Sequence, residues 1–429
     1  MLNKLKGIQK AVSDRRQSAD TNQYLVGLDI GTEYVKALIG RVSGDDIEII
    51  GVGRAHQALA DMQAGAISDI TAVVQNCESA LAQAEQQAGV SNRTVIIGIA
   101  GELVKGTTIT VKCNRQSADA PLDIDEVSQI ISLVQDKAAE KAKKQLFLDM
   151  GGKDVEIRLV NSALVSIEID GYPVTNPLGF QGKEVVVELY TAFAPMIHIG
   201  ALERTAVELD LDLLAVAAEP FAVARSVIGN DPNQNKSAIL MDVGGGTTDI
   251  AIVHEGGVQG TEMFGIGGRA FTRAIEREKG IDFTEAEKLK LKVDSNTIPE
   301  HHKASIEDAL QKTLDVWMSG IDLALGEFDG LDYLPHQLLL CGGGSSLSLL
   351  VDRLKRESWS SDLAFTKRPQ IKHIDPKQVY GIKDTTGDVA DHTFITAMGL
   401  LRVGLDTLQQ QEGKDTGTIR QKIDRMLRV

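Results

Sequence analysis

One unit occurs twice in this chain. Residues 24–30, 35–42 and 47–54 read as three β-type runs joined by short glycine-containing turns, and about 210 residues later 238–243, 249–254 and 257–264 repeat the design. Leu28-Asp29-Ile30-Gly31-Thr32 and Met241-Asp242-Val243-Gly244-Gly245 both set an Asp near the end of an apolar strand, directly before a glycine turn and a second strand. Two copies of one strand–turn–strand unit predict two similar lobes facing each other, with something held between the turns. At 429 residues the chain has the length for two lobes with cores of their own.

The rest of the chain fits an α/β architecture around that pair. A helix is predicted over 71–87. Residues 93–195 belong to neither copy, and their strands (95–100, 155–160, 164–169, 185–194) around a helix near 124–141 predict an α+β insertion with its own core. Helical patterns follow over 202–209, 220–228 and most of 270–330; the last strand is 337–341 and the last long helix 393–405. The expected division is a basic N-terminal extension (1–22), the first part of lobe I (23–92), the insertion (93–195) and the end of lobe I with a connecting helix (196–235). Then come the lobe II core (236–262), an upper helical subdomain (263–335), the return of the lobe II core (336–408), a polar linker (409–417) and a terminal amphipathic helix (418–429).

Composition narrows the function classes. Sixty acidic against 45 basic residues, a formal charge of −15, argue against nonspecific nucleic-acid binding, which needs clustered Lys and Arg. Cys77, Cys113 and Cys341 lie far apart with no CxxC spacing, which reads as reduced thiols in a cytosolic chain and not as a metal site. No apolar run approaches the roughly 18 residues of a spanning helix, and the charges at Lys4, Lys6 and Lys10 have no apolar segment behind them. The expectation is a cytoplasmic protein whose membrane contact, if any, is peripheral.

Three glycine turns follow apolar strands, at Gly31-Thr32, at Gly244-Gly245-Gly246-Thr247-Thr248 and at Gly342-Gly343-Gly344-Ser345; a fourth, Gly267-Gly268, precedes a helix. Glycine lets backbone amides approach an anion closely, and Thr and Ser hydroxyls add donors, so such turns can cradle phosphates. Asp29 and Asp242 at the strand ends are placed to hold the waters of a Mg²⁺ that neutralises phosphate charge. Taken singly, each turn reads equally as hairpin or helix-start geometry. There is no GxxxxGK[ST] and no GxGxxG with a downstream acid, which sets aside P-loop and dinucleotide enzymes.

These residues resemble the nucleotide-binding signature of the actin, DnaK-chaperone and hexokinase superfamily. The resemblance implies a two-lobed actin-like fold in which the first two turns embrace the β- and γ-phosphates of ATP and the third contacts the adenosine. It implies further that Glu219, with Asp29 and Asp242, serves the attacking water and the metal, and that Glu287 and Lys290 reach the ribose and base. Within the superfamily, 24–402 is similar to the FtsA family of bacterial cell-division proteins. The run Gly171 to Gly182 resembles the characteristic turn of that family's inserted 1C subdomain. Glu33 departs from the pattern, setting an acidic side chain where the family has a small one, and the extension before Tyr24 is longer than the family's.

The family likeness implies an ATP-binding protein with at most slow ATPase activity. It implies that the chain polymerises with copies of itself, binds the C-terminal peptide of FtsZ and recruits later division proteins at the septum, on the cytoplasmic face of the membrane. Arg269 and Arg273 are the basic residues offered for the acidic FtsZ tail. At the C-terminus Ile419, Ile423, Met426 and Leu427 fall on one helical stripe flanked by Arg420, Lys422, Arg425 and Arg428, a pattern that suits an anionic leaflet or a protein groove. The basic stretch before Tyr24 reads as a frayed tail or a second membrane contact. Two other classes stay open: a PilM-like cytoplasmic adaptor of a pilus or secretion assembly, and a metabolic kinase of the same superfamily.

Overall fold

A computed structural model of the chain describes residues 23–101, 104–228, 236–293, 300–328 and 331–412. The expected N-terminal extension and terminal amphipathic helix, with Ile419 to Arg428, lie outside the described residues. Two large sheets carry the fold. The first has the order β11 (Asp212–Ala218), β6 (Thr94–Ile99), β1 (Tyr24–Ile30), β2 (Tyr34–Ser43), β3 (Asp46–His56) and β17 (Ile382–Asp384). The second runs β16 (Gln370–His373), β15 (Gln337–Cys341), β12 (Ala238–Val243), β13 (Thr248–His254), β14 (Gly257–Phe264), β7 (Lys105–Asn114), β10 (Glu184–Pro195), β8 (Ile157–Ile169) and β9 (Tyr172–Pro173). A small pair, β4 (Met62–Gln63) and β5 (Ala66–Ile67), completes the strands among the described residues.

The two predicted meanders are present as β1-β2-β3 and β12-β13-β14, each antiparallel throughout. Every residue of β12 is buried, and its side chains alternate between two cores. Ala238 and Leu240 join the core shared with lobe I, while Ile239, Met241 and Val243 join the core under the helices Gly268–Lys279 and Glu300–Gly326. Between the sheets the helices Glu219–Val227 and Ile395–Glu412 pack on each other, the latter also against β1. The helix Ile70–Ala88 covers β2 and β3. Asp69 caps its start by accepting from the Ala72 amide, and Gly89, at φ +69°, ends it.

Three boundaries differ from the sequence expectation. The strand expected at 95–100 opens no insertion, because β6 pairs in parallel with β1 (Val26 with Val95) and belongs to lobe I. The stretch 336–408 does not stay in lobe II: β15 and β16 do, but β17 pairs with β3 and the last helix packs on β1. That helix also runs through 409–412, the start of the expected linker, where Gln409 Nε2 donates to Asp45 Oδ1 at 3.0 Å. A polar sequence lacking apolar periodicity extends a helix here because the preceding turns are anchored by packing.

The insertion has its own core, with Val127, Ile130, Ile131 and Val134 of the helix Ile124–Asp149 against Val111, Ile167, Val185 and Leu189. Its sheet nevertheless continues that of lobe II, because β7 pairs with β14 through Gly106–Thr261 and Thr107–Gly260. Gly106 is required there by close approach: a Cβ would lie 2.0 Å from Thr261 Oγ1 and 2.5 Å from Tyr190 Oη. Beside this seam, burial pushes the Glu262 carboxyl up to about 7, against the pull of Lys105. A folded-state value above the ordinary 4.5 means that its contribution to stability is full below about 4.5 and is lost as pH rises through about 7. Glu262→Gln is therefore expected to flatten the fall in melting temperature between about pH 5 and 8, read by thermal denaturation at each pH.

Candidate functional site

The same register in both hairpins builds the site. In the first, Asp29 of β1 stands directly opposite Lys36 of β2; in the second, Asp242 of β12 stands opposite Asp249 of β13. One copy thus pairs a carboxylate with an ammonium, the other a carboxylate with a carboxylate, an arrangement that is destabilising by itself. The turns are closed by Gly31 N–H to Tyr34 O at 3.1 Å and Gly244 N–H to Thr247 O at 2.9 Å. They also touch across the lobes, since a Cβ on Gly246 would come within 2.7 Å of Thr32 Oγ1. Gln57, fully buried, braces the first turn by donating to Gly31 O at 3.3 Å and is held in turn by Asn76 at 2.7 Å.

Charge is concentrated at the strand ends. Lys36 Nζ lies 2.8 Å from Asp29 Oδ2, both side chains nearly buried. Burial alone pulls the Lys36 ammonium down, but the attraction of Asp29, with Asp242 and Glu219 behind it, raises it overall. Burial pushes the Asp242 carboxyl up, opposed by the hydrogen bond it accepts from Thr396 Oγ1. Asp249 is driven well above the carboxylate range by burial and then by Asp242; its Oδ2 accepts from Thr247 Oγ1 at 3.0 Å, while its buried Oδ1 has no partner. Glu219, first residue of its helix, is also raised well above its ordinary value, by burial and then by Asp29, Asp249 and Asp242.

The hairpins and the helical subdomain enclose a cleft of about 520 Å³, within the size range of small-ligand sites. Of the residues singled out from sequence, Asp29, Gly31, Thr32, Glu219, Asp242, Gly244, Gly245, Thr247, Gly268, Glu287, Lys290, Gly342, Gly343 and Gly344 line it. Gly342 holds φ +78°, and a Cβ there would sit 1.9 Å from Asp242 Oδ1, so only glycine lets the third turn meet the second strand end. Lys290 Nζ contacts Glu287 Oε2 at 2.8 Å and donates to Gly268 O at 3.1 Å, bringing that pair to the start of the helix Gly268–Lys279.

Four of those residues stand behind the cleft wall. Gly246 packs on Thr32 and Gly267 on Gly244 and Gly245. Thr248 donates to Ile266 O and accepts from Trp317 Nε1, and Ser345 donates to Gly342 O, so both hydroxyls brace the turns from inside. Arg269, offered from sequence as a docking residue on the upper lobe, faces the cleft instead, 2.7 Å from Glu33 Oε2 with its side chain 11% exposed. Arg273 does stand half exposed, 3.8 Å from Glu276.

Lys36 and Asp249 were missed. Both were findable, since a Gly-centred turn fixes the antiparallel register and puts the seventh residue after each Asp across from it.

Glycine amides of the second and third turns, at Gly245, Gly343 and Gly344, with Lys36, can receive an anionic chain, and Asp242 with the unpartnered Asp249 oxygen offers negative charge to a cation beside it. Among the described residues no three acidic, His or Cys side chains converge to cage a bare metal. The donor set suits a hydrated divalent ion, which needs one or two carboxylates together with phosphate oxygens.

Without such a cation the buried Asp249 charge is a liability, and its raised folded-state value means stability is lost as pH climbs above the ordinary 3.8. Asp249→Asn, which cannot ionise, is expected to stabilise the chain alone at neutral pH. The gain should fade below about pH 4, where both folded and unfolded states are protonated; melting curves at the two pH values check this.

Comparison with known proteins bears on which cleft this is. A family model described as "Cell division protein FtsA" matches residues 239–399. The FtsA of Pseudomonas aeruginosa is 24% identical over 420 residues, covering 92% of each chain. The FtsA of Bacillus subtilis is 26% identical over 63% of this chain and 58% of its own, and that of Enterococcus faecalis 24% identical over 78% and 76%. Among solved structures, the PilM–PilN type IV pilus biogenesis complex superposes with a TM-score of 0.63 at 17% identity, covering 89% of this chain and 98% of that one, a likeness of fold alone. The paired hairpins, the inserted α+β subdomain and these relatives agree: the fold is the two-lobed actin-like one, and the chain is similar to the FtsA cell-division proteins over most of its length.

Proposed function

We propose that the chain binds ATP with Mg²⁺ between its lobes and acts as a polymerising adaptor that ties the FtsZ ring to the cytoplasmic face of the membrane at the division septum. The observation that carries the nucleotide half is the pair of facing hairpins, each ending in a buried carboxylate and a glycine turn, with an Asp249 oxygen left without a partner. Asp242 and Asp249 would hold the hydrated Mg²⁺ with Asp29, and the turns at Gly31, Gly244 and Gly342 would receive the phosphates. Bound Mg-ATP supplies a charge-dense chain that both lobes can grip at once. Glu219, held raised by its surroundings, is the residue able to keep or release a proton at the cleft floor. Lys36 keeps Asp29 oriented.

The adaptor half rests on the family. Among the described residues no helix is long and apolar enough to cross a membrane. The stripe of Ile419, Ile423, Met426 and Leu427 with Arg420, Arg425 and Arg428 is the proposed anchor. Each basic residue adds about 1 kcal/mol at an anionic surface, on top of what burial of the apolar stripe contributes. Self-association into filaments and recruitment of later division proteins follow the same family reading.

Co-sedimentation with anionic liposomes, comparing the full chain with one ending at Gly417, tests this. The full chain should pellet and the truncated one remain soluble. Equal pelleting overturns the tail as anchor, and no pelleting of either overturns the membrane role and leaves the cytoplasmic-adaptor alternative. In parallel, Mg-ATP should raise the melting temperature of the wild type, and Asp242→Asn should abolish the rise.

A further inference from the structure

The cleft holds one ion pair that links the lobes through side chains at the phosphate turns themselves. Glu33 follows Thr32 in the first turn, on lobe I; Arg269 is the second residue of the helix Gly268–Lys279, on lobe II. Arg269 Nε donates to Glu33 Oε2 at 2.7 Å, and its Nη2 reaches Gln57 O at 3.3 Å. The other carboxylate oxygen, Oε1, is 2.9 Å from His56 Nε2. Both backbones are pinned: Glu33 O accepts from the Gln57 amide at 2.9 Å, and the Arg269 amide donates to Gly245 O at 2.8 Å. A Cβ on Gly245 would lie 2.9 Å from the Glu33 Cβ, so the acidic side chain stands against the second glycine turn. Both residues line the cleft.

An arginine fork recognises a carboxylate and a phosphate by the same donor geometry. A carboxylate set between two anion-cradling turns therefore occupies the kind of place that a phosphate would take, and it repels one that arrives. The repulsion grows with the charge on the phosphate chain that enters. We propose that Glu33 and Arg269 form a clasp across the cleft that a nucleoside triphosphate opens by competition, Arg269 passing from the Glu33 carboxylate to the phosphate chain, so that Glu33 biases the site toward the diphosphate. This rests on the nucleotide reading above and adds to it which residues sense the phosphate count. Glu33 and Arg269 are positioning residues, and no bond is made or broken.

The test measures affinities of the full chain for Mg-AMPPNP and Mg-ADP by calorimetry, in the wild type, Glu33→Gln, Arg269→Gln and the double variant. Glu33→Gln, which keeps shape and removes charge, should tighten AMPPNP by about tenfold and ADP by less than about threefold. Arg269→Gln should weaken AMPPNP, and by more in the Glu33→Gln background, where the arginine no longer has a carboxylate to leave. Melting temperatures of the same four proteins give a second reading: Glu33 and Arg269 should be coupled without nucleotide and uncoupled at saturating AMPPNP. An unchanged AMPPNP-to-ADP ratio in Glu33→Gln, or coupling that persists with AMPPNP bound, overturns the clasp while leaving nucleotide binding intact. Failure of the wild type and of Glu33→Gln to bind either nucleotide overturns the nucleotide reading and the clasp with it.

Discussion

The structure depends on the concentration of negative charge at the ends of the central strands. Asp29, Asp242, Asp249 and Glu219 are all buried, and Lys36 is the cation drawn in among them. A buried carboxylate is costly unless it is paired or loses its charge. Only the Asp29 carboxylate has an ion-pair partner in hydrogen-bond contact; Asp242 leans on a Thr396 hydroxyl, and Asp249 keeps one oxygen without a partner. Perturbed carboxylates of this kind, gathered in a cleft, mark a candidate functional site.

The surrounding fold holds that charge still. Buried apolar strands on both sides keep the hairpins from slipping, because a shift of one residue would turn every carboxylate to the other face of the sheet. The helices Glu219–Val227 and Ile395–Glu412, packed together between the sheets, bring Thr396 onto the Asp242 carboxylate and Glu219 within its electrostatic reach. The insertion is tied to lobe II by a short seam at Gly106 and Thr261, with the raised Glu262 carboxyl beside it, so the inserted subdomain shares a sheet with one lobe while its own core stays separate.

The cleft is also closed by side chains. Glu33 reaches across to Arg269, and the glycine turns touch one another, so a ligand entering must displace protein–protein contacts and not merely fill space. Coupling between ligand and lobe position follows from that exchange, since a ligand shifts an equilibrium only through contacts that differ between the two states.

Much of this was legible in the chain itself. The repeat of Asp29-Ile30-Gly31 and Asp242-Val243-Gly244 determined two hairpins and a cleft between them, because strand alternation and glycine turn chemistry are local properties. Eleven of the residues singled out on that basis line the cleft, and Glu219, Glu287 and Lys290, named through the family resemblance, line it with them. Hairpin register could also have yielded Lys36 and Asp249, whose partners sit seven residues away. What tertiary structure alone decided involves distant residues meeting: Thr396 on Asp242, Gln57 under the first turn, the withdrawal of Thr248 and Ser345 into bracing bonds, and Arg269 turning from the outer surface into the cleft. The same holds for β6 joining lobe I and β17 returning to β3. Periodicity tells a residue which face of its element is apolar, but which neighbour covers that face depends on how the sheets and helices stack, and no local pattern in the sequence records it.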